Sequence, residues 1–161
     1  MSMIRAAHAR RIVIFGVTAS LMISALGQGV SRADESSEPI TGIYVEDAVA
    51  TPANAGETAI IGFRIDNFSA RNVSLMGVSS QIADSASIMM RGGGVGTQVT
   101  TAVSVMQDET LDLRTSHMWV ELRGIKSEIR EGDLVPFELV FARGRVSAQA
   151  HAHAGAMPGV R

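Results

Sequence analysis

Hydrophobic and polar residues alternate in short runs along most of the chain after residue 40, a pattern typical of β-strands with one buried face. The clearest run is 135–141, in which Val135, Phe137 and Leu139 share one side with a further phenylalanine. No window of twelve residues shows a helical period, so no helix is predicted. Further strands are predicted at 40–46, 57–66, 72–79, 85–90, 98–106, 111–113 and 118–122.

Turn residues separate these runs at spacings of roughly eight to twelve residues, which favours an antiparallel β-sandwich or barrel. Stretches 51–56 and 92–96 supply polar or glycine-rich turns. The sequence therefore predicts an all-β fold class. From residue 149 onward the hydrophobic pattern is lost, and we expect a flexible tail there.

The first 33 residues have the features of a secretory signal peptide. An arginine-containing start precedes the uncharged, apolar stretch 12–27, and small residues lie at a cleavage position after Ala33. Sixteen apolar residues are short for a membrane span, which needs about 20. The expected parts are a signal peptide at 1–33, a β-barrel domain at 34–148 and a tail at 149–161. The sequence leaves open whether export uses the general or the twin-arginine route.

Charge and composition narrow the class of protein. Hydrophobic residues make up 46% and charged residues 19%, which suits one packed domain. The chain has 14 basic and 16 acidic residues; segment 1–33 holds four of the basic ones and no acidic one, so ten against sixteen remain, a net charge of −6. Such a domain does not bind nucleic acid by bulk positive charge. We expect an exported, periplasmic monomer with no membrane segment after cleavage.

The sequence lacks the usual catalytic patterns. It contains no cysteine, which excludes a disulfide framework, a thiolate metal site and a cysteine nucleophile. His117 is the only histidine between residues 34 and 148, and no Gly-x-Ser-x-Gly motif occurs. We therefore predict that the protein is not an enzyme.

Methionine and histidine, at nine and four residues, are the only soft metal donors of the chain. Several of them lie near predicted turns, where strands end or begin. Thioether and imidazole groups suit monovalent copper. The alternative that the methionines fill gaps in the core stays open. The candidate ligands are Met89, Met90, His117 and Met118, with His151 and His153 in the predicted tail.

The order of several short motifs along the chain carries a family resemblance. Residues 43–48 read IYVEDA, and residues 132–141 read GDLVPFELVF. Together with the stretches between them, they resemble, in order, the strands of the periplasmic copper chaperones called PCu(A)C. This resemblance implies a cupredoxin-like β-barrel with copper at one end and an oxidase-assembly protein as acceptor. The six matching stretches are 43–48, 57–67, 74–80, 83–90, 119–125 and 132–141.

The chain departs from this family at the ligand positions. The family's first histidine falls on Met89, and its isolated methionine falls on about Thr97. The histidine and methionine of its His-x-Met pair fall on Trp119 and Glu121. A displaced copper site would therefore have to draw on Met89 with the neighbouring methionines and His117.

Two functions remain open from the sequence. The first is an exported copper chaperone-like protein that carries monovalent copper on Met and His ligands and passes it on by ligand exchange. The second is a copper-free cupredoxin-like module that binds another cell-envelope protein through the former metal end. In the second case we expect Trp119 to be exposed there, because exposed aromatic residues are frequent interface hot spots.

Overall fold

The computed structural model describes residues 40–92 and 96–155, which fold into ten β-strands. The predicted signal peptide lies outside the described residues. Within the described ranges, no helix is long and apolar enough to cross a bilayer. The strands are β1 Ile43–Ala50, β2 Thr58–Asn67, β3 Val73–Ser79, β4 Ala83–Gly92, β5 Gly96–Thr100, β6 Val103–Val105, β7 Thr110–Asp112, β8 Met118–Ile125, β9 Leu134–Phe141 and β10 Gly144–Ala152.

Nine strands are hydrogen-bonded in the order β5-β4-β8-β2-β1-β10-β9-β3-β6, and β7 pairs with β2. The neighbours are antiparallel except β1 and β10, which run parallel. The sheet curls around one apolar core: Phe63 on β2 and Phe137 on β9 are separated by two strands in the sheet, yet their rings stack with centroids 5.3 Å apart. The predicted all-β fold class is confirmed.

The region predicted as one strand at 98–106 is two strands with different partners. β5 pairs with β4, whereas β6 pairs with β3 at the opposite end of the strand order. The chain changes neighbours at residues 101–102. Apolar residues continue to alternate through residues 101–102, so the pattern does not show that the chain changes its neighbouring strand there.

The prediction of a flexible tail from residue 149 is wrong for residues 149–152, which belong to β10. Ala150 and Ala152 are buried, and Ala152 pairs with Ala50 of β1. Alanine is small enough to fill this closely packed position, but it contributes little to a hydrophobic pattern. The strand was therefore not recognisable from the sequence.

Candidate functional site

The register between β4 and β8 places the candidate donors on two sides of the sheet. Met90 lies opposite Met118, and Met89 lies opposite Trp119. Because successive side chains of a strand alternate in direction, the two pairs face opposite sides. Met118 belongs to the core and Met90 packs against it. The structure therefore brings two thioethers together on the inner face and separates them from Met89.

His117 lies just before β8 and is exposed. Its carbonyl oxygen accepts a hydrogen bond of 2.9 Å from the backbone N–H of Arg91. The residue is therefore held by its backbone next to the end of the β4–β8 pair. Its imidazole is exposed to solvent at that end.

Trp119 is buried, contrary to the expectation that it is exposed. Only 5% of it is accessible. Its Nε1–H donates to Glu121 Oε1 at 3.2 Å, and the guanidinium carbon of Arg91 lies 5.8 Å from the ring centre. Glu121 also accepts from Arg123 at 2.8 Å. The indole is covered because charged side chains of the two strands fold over it, which a pattern within one strand does not indicate.

The positions that the resemblance assigns to ligands are neighbours in the structure. Met89 lies opposite Trp119, Glu121 follows two residues later on the same side of β8, and Thr97 is on the adjacent strand β5. Met89 is the only soft donor among them. Within residues 40–92 and 96–155, no group of three or more His, Cys, Asp or Glu side chains could hold a metal ion.

The two histidines of the predicted tail have ordered surroundings. His151 is exposed on β10, opposite Leu134 of β9. The Nδ1 atom of His153 lies 2.5 Å from Glu131 Oε1, and its backbone N–H donates to the carbonyl of Ala50 at 2.9 Å. This contact with His153 is the main cause that lowers the pKa of Glu131.

A cluster of charged residues on β1, β2, β7 and the turn after β7 was not identified from the sequence. Arg64 pairs with three carboxylates, and Arg114 pairs with two. Asp47 accepts from both guanidinium groups, at 3.2 Å and 3.0 Å. The sequence did contain an indication of this cluster. Residues 64 and 66, and residues 112 and 114, carry opposite charges two positions apart, and residues two apart in a strand share one face. The charged cluster consists of Glu46, Asp47, Arg64, Asp66, Asp112 and Arg114.

Two carboxylates of the charged cluster have a lowered pKa. The Thr110 hydroxyl donates to Asp66 Oδ1 at 2.6 Å and, with Arg64, holds the pKa of Asp66 below its usual range. Arg114 lowers the pKa of Asp112 in the same way. Of the two, the Asp66–Thr110 hydrogen bond joins β2 to β7 and so supports the packing of β7 on β2.

Comparison with solved structures identifies the class of fold. The copper-bound PCuAC domain from PmoF2 is 21% identical, with a TM-score of 0.61, and the match covers 73% of this chain and 97% of that domain. The solution structure of CuI-DR1885 from Deinococcus radiodurans is 22% identical, with a TM-score of 0.54, covering 81% and 89%. The protein thus has the cupredoxin-like fold of PCuAC domains.

A family model gives the particular assignment. The model described as "Putative lipoprotein LpqE-like" matches residues 43–152, and the chain belongs to this LpqE-like family. A search of curated proteins finds no match. The matched range runs from the first residue of β1 to the last residue of β10, so the family covers the whole described barrel.

Proposed function

We propose that this protein is an exported copper chaperone-like domain that carries monovalent copper on soft Met and His ligands. The observation that supports the proposal best is the cross-strand pair of Met90 and Met118, with the exposed His117 beside it. Directly opposed residues of antiparallel strands have Cβ atoms about 5 Å apart, so two thioethers can reach one ion. A solved structure with the same fold is a copper-bound PCuAC domain.

The chemistry of these donors suits transfer of the metal. Thioether and imidazole groups prefer monovalent copper, which accepts low coordination numbers. Two methionines and one histidine leave room for a ligand from an acceptor protein, so copper would leave by ligand exchange. Met89 on the opposite face would need a local rearrangement to contribute. The acceptor that the resemblance implies is an oxidase-assembly protein of the envelope.

His151 and His153 are proposed as an accessory site rather than part of the primary one. Both imidazoles are exposed, and His153 contacts Glu131. Copper binding there would compete with that contact. Because both residues belong to the ordered end of the barrel, they would offer a fixed surface site.

The proposed location is the periplasm, in monomeric form. The predicted signal peptide and the family description, which names a lipoprotein, both support export. Thioether-linked lipid requires a cysteine, and the 161 residues contain none.

A specific observation favours a second candidate, the copper-free module. Trp119 and Glu121 are hydrogen-bonded to each other at the positions where the resemblance expects the His-x-Met pair. Since Trp119 is buried, a partner at this end would contact the outer side chains, such as Val99 on β5, which is 57% exposed. In this case the protein would bind an envelope partner and no copper.

The test is a titration of residues 34–161 with monovalent copper against a colorimetric chelator. The first candidate predicts competition at one equivalent, lost in the Met90→Leu/Met118→Leu variant, which removes both sulfur atoms at nearly constant side-chain volume. The matched control is Met76→Leu/Met106→Leu, because these methionines are 48% and 62% exposed. Equal competition by both variants would contradict the assigned site.

A gain-of-donor variant separates the two candidates. Trp119→His/Glu121→Met restores soft donors at the positions that the resemblance assigns to the His-x-Met pair. Competition by this variant, together with none by the wild type, would support the copper-free module and reject the chaperone. Competition by the wild type that is reduced in His117→Gln would support the chaperone.

A further inference from the structure

The pairing between β1 and β10 covers only the end of β1. The two strands pair at Val49 with His151 and at Ala50 with Ala152. Before these positions they separate and border a groove of about 830 Å³. Among the described residues, no strand pairs with this side of β1 from Ile43 to Ala48.

A β-bulge explains why the strands separate. The register of β1 against β2 shifts between Glu46 and Val49, and Asp47 has a positive φ of 51°. A bulge bends its strand and increases the local twist. β10, in contrast, pairs with β9 without interruption from Gly144 to His151. β1 therefore turns away from a neighbour that stays regular.

The inward face of β10 is left partly uncovered where β1 has turned away. Ala150 and Ala152 are 0% and 3% exposed next to the positions where β10 pairs with β1. Val146 and Ala148 continue the same alternating face but are only half-buried. Val45 of β1 is half-buried in the same way. The groove thus has an apolar floor formed by residues that a further strand would cover.

We propose that this groove binds an extended peptide segment of another envelope protein as an added β-strand. On both sides, strand edges that no described residue pairs present backbone N–H and C=O groups, which is the arrangement used in β-strand addition. Because β1 and β10 run parallel, one inserted strand can be antiparallel to both and form the more stable type of ladder with each. This surface is separate from the Met90–Met118 pair, so the proposal does not depend on copper.

Charge indicates which peptides fit. The charged cluster, which borders the groove through Asp47 and Arg114, contains four carboxylates and two guanidinium groups, a net charge of −2. Residues 34–39 of this chain carry three acidic and no basic side chains, so they are a poor match for the groove. The occupant should be a strand with small apolar residues on its inner face and Lys or Arg on its outer face.

Selection from a phage-displayed library of random nine-residue peptides on residues 34–161 tests the proposal. The enriched sequences should alternate apolar residues with polar ones and contain Lys or Arg. Because the chain has no cysteine, Ala148→Cys introduces a single thiol on the floor of the groove. An enriched peptide should slow maleimide labelling of this thiol about tenfold at saturation, because the bound fraction is protected. Labelling of Ala86→Cys, a half-buried alanine on β4, should not change.

Charge reversal supplies a second readout by peptide fluorescence anisotropy. Glu46→Lys should weaken binding about fivefold or more, since it reverses one charge of the charged cluster that borders the groove. Glu128→Lys is the matched control and should change binding less than about twofold, because Glu128 is likewise an arginine-paired carboxylate, 49% exposed against 50% for Glu46.

Four outcomes would overturn the proposal. They are a selection that enriches no sequence, enriched peptides that are acidic, enriched peptides that leave the labelling of Ala148→Cys unchanged, and equal effects of Glu46→Lys and Glu128→Lys. Protection that rises with protein concentration in the absence of peptide would assign the groove to a second copy of the chain and would also overturn it.

Discussion

Asn67 connects the end of β2 to two loops through its buried side-chain amide. Its Nδ2 lies 3.0 Å from the carbonyl of Val105 and 2.9 Å from that of Met106, and it also reaches Arg71. Its Oδ1 accepts from the backbone and hydroxyl of Ser69. One fully buried residue thus joins the end of β2 to the backbone of both loops.

Replacing this amide should be costly. We expect Asn67→Ala to lower the free energy of unfolding by about 3 kcal/mol, because a fully buried amide loses its hydrogen bonds to both loops. Urea unfolding followed by circular dichroism measures the change. Asn54→Ala is the control, since Asn54 is exposed and its side chain contacts only Glu57; it should cost about 0.5 kcal/mol or less. Similar losses in both variants would contradict this role.

Asp66 should make stability dependent on acid pH. Its pKa is lowered in the folded protein, so it contributes stability above the unfolded carboxyl pKa of about 3.9, and this contribution is lost as pH falls through the lower folded value. Asp66→Asn should therefore reduce the slope of unfolding free energy against pH between about 2 and 5. Thr110→Val should shift the acid transition to higher pH, because the hydroxyl is the main cause of the lowered pKa. If the unfolding free energies of the wild type and both variants depended on pH in the same way, Asp66 would not be the source of the pH dependence.

At the scale of elements, the alternation of apolar residues predicts where strands lie but not which strands pair. The opposition of Met90 and Met118 depends on the register between β4 and β8, which is a property of two distant segments. The burial of Trp119 depends on Arg91 and Glu121 around it. The candidate donors could thus be chosen from the sequence, whereas their division between two faces required the structure.

The end of β10 should be essential for folding. A chain that ends at Ala148 lacks Ala150 and Ala152, the pairing with β1 and the hydrogen bond from Ala152 N–H to the Asp133 carbonyl. We expect a loss of about 4 kcal/mol, a large part of the stability of a small domain. A chain that ends at Gly155 should melt like the longer form. Calorimetry of the chains that end at Ala148 and at Gly155 measures this difference. Equal melting temperatures would show that the end of β10 is dispensable for stability.

At the scale of the molecule, the middle of the sheet joins segments that are distant in sequence. Val49 and His151, which are 102 residues apart, pair in the parallel β1–β10 contact. The sequence predicts the class of fold because alternation is local, but it does not reveal this contact. The resemblance to PCu(A)C supplies part of this missing information, because a family implies the order in which strands pair as well as the strands themselves.

Pairing of strands distant in sequence should make folding slow, and we expect the β1–β10 contact to form late. We expect refolding in milliseconds to seconds, as for other proteins with non-local strand pairing. Ala152→Gly should destabilise by about 1 kcal/mol and increase the unfolding rate while leaving the folding rate nearly unchanged. Stopped-flow measurements in urea test this, and a matching decrease in the folding rate would mean that the contact forms early.

The parallel direction of β1 and β10 also determines how the barrel can be connected to other domains. Ala50 and Ala152 are neighbours, and from Ile43 to Ala50 the bulged β1 runs beside residues 61–67 of β2, which are six steps of about 3.3 Å. The barrel therefore begins roughly 20 Å from where β10 ends. Fusion partners joined to the two ends would therefore be held apart at opposite poles of the barrel. A circularly permuted form would need a linker long enough to run the full height of the strand pair.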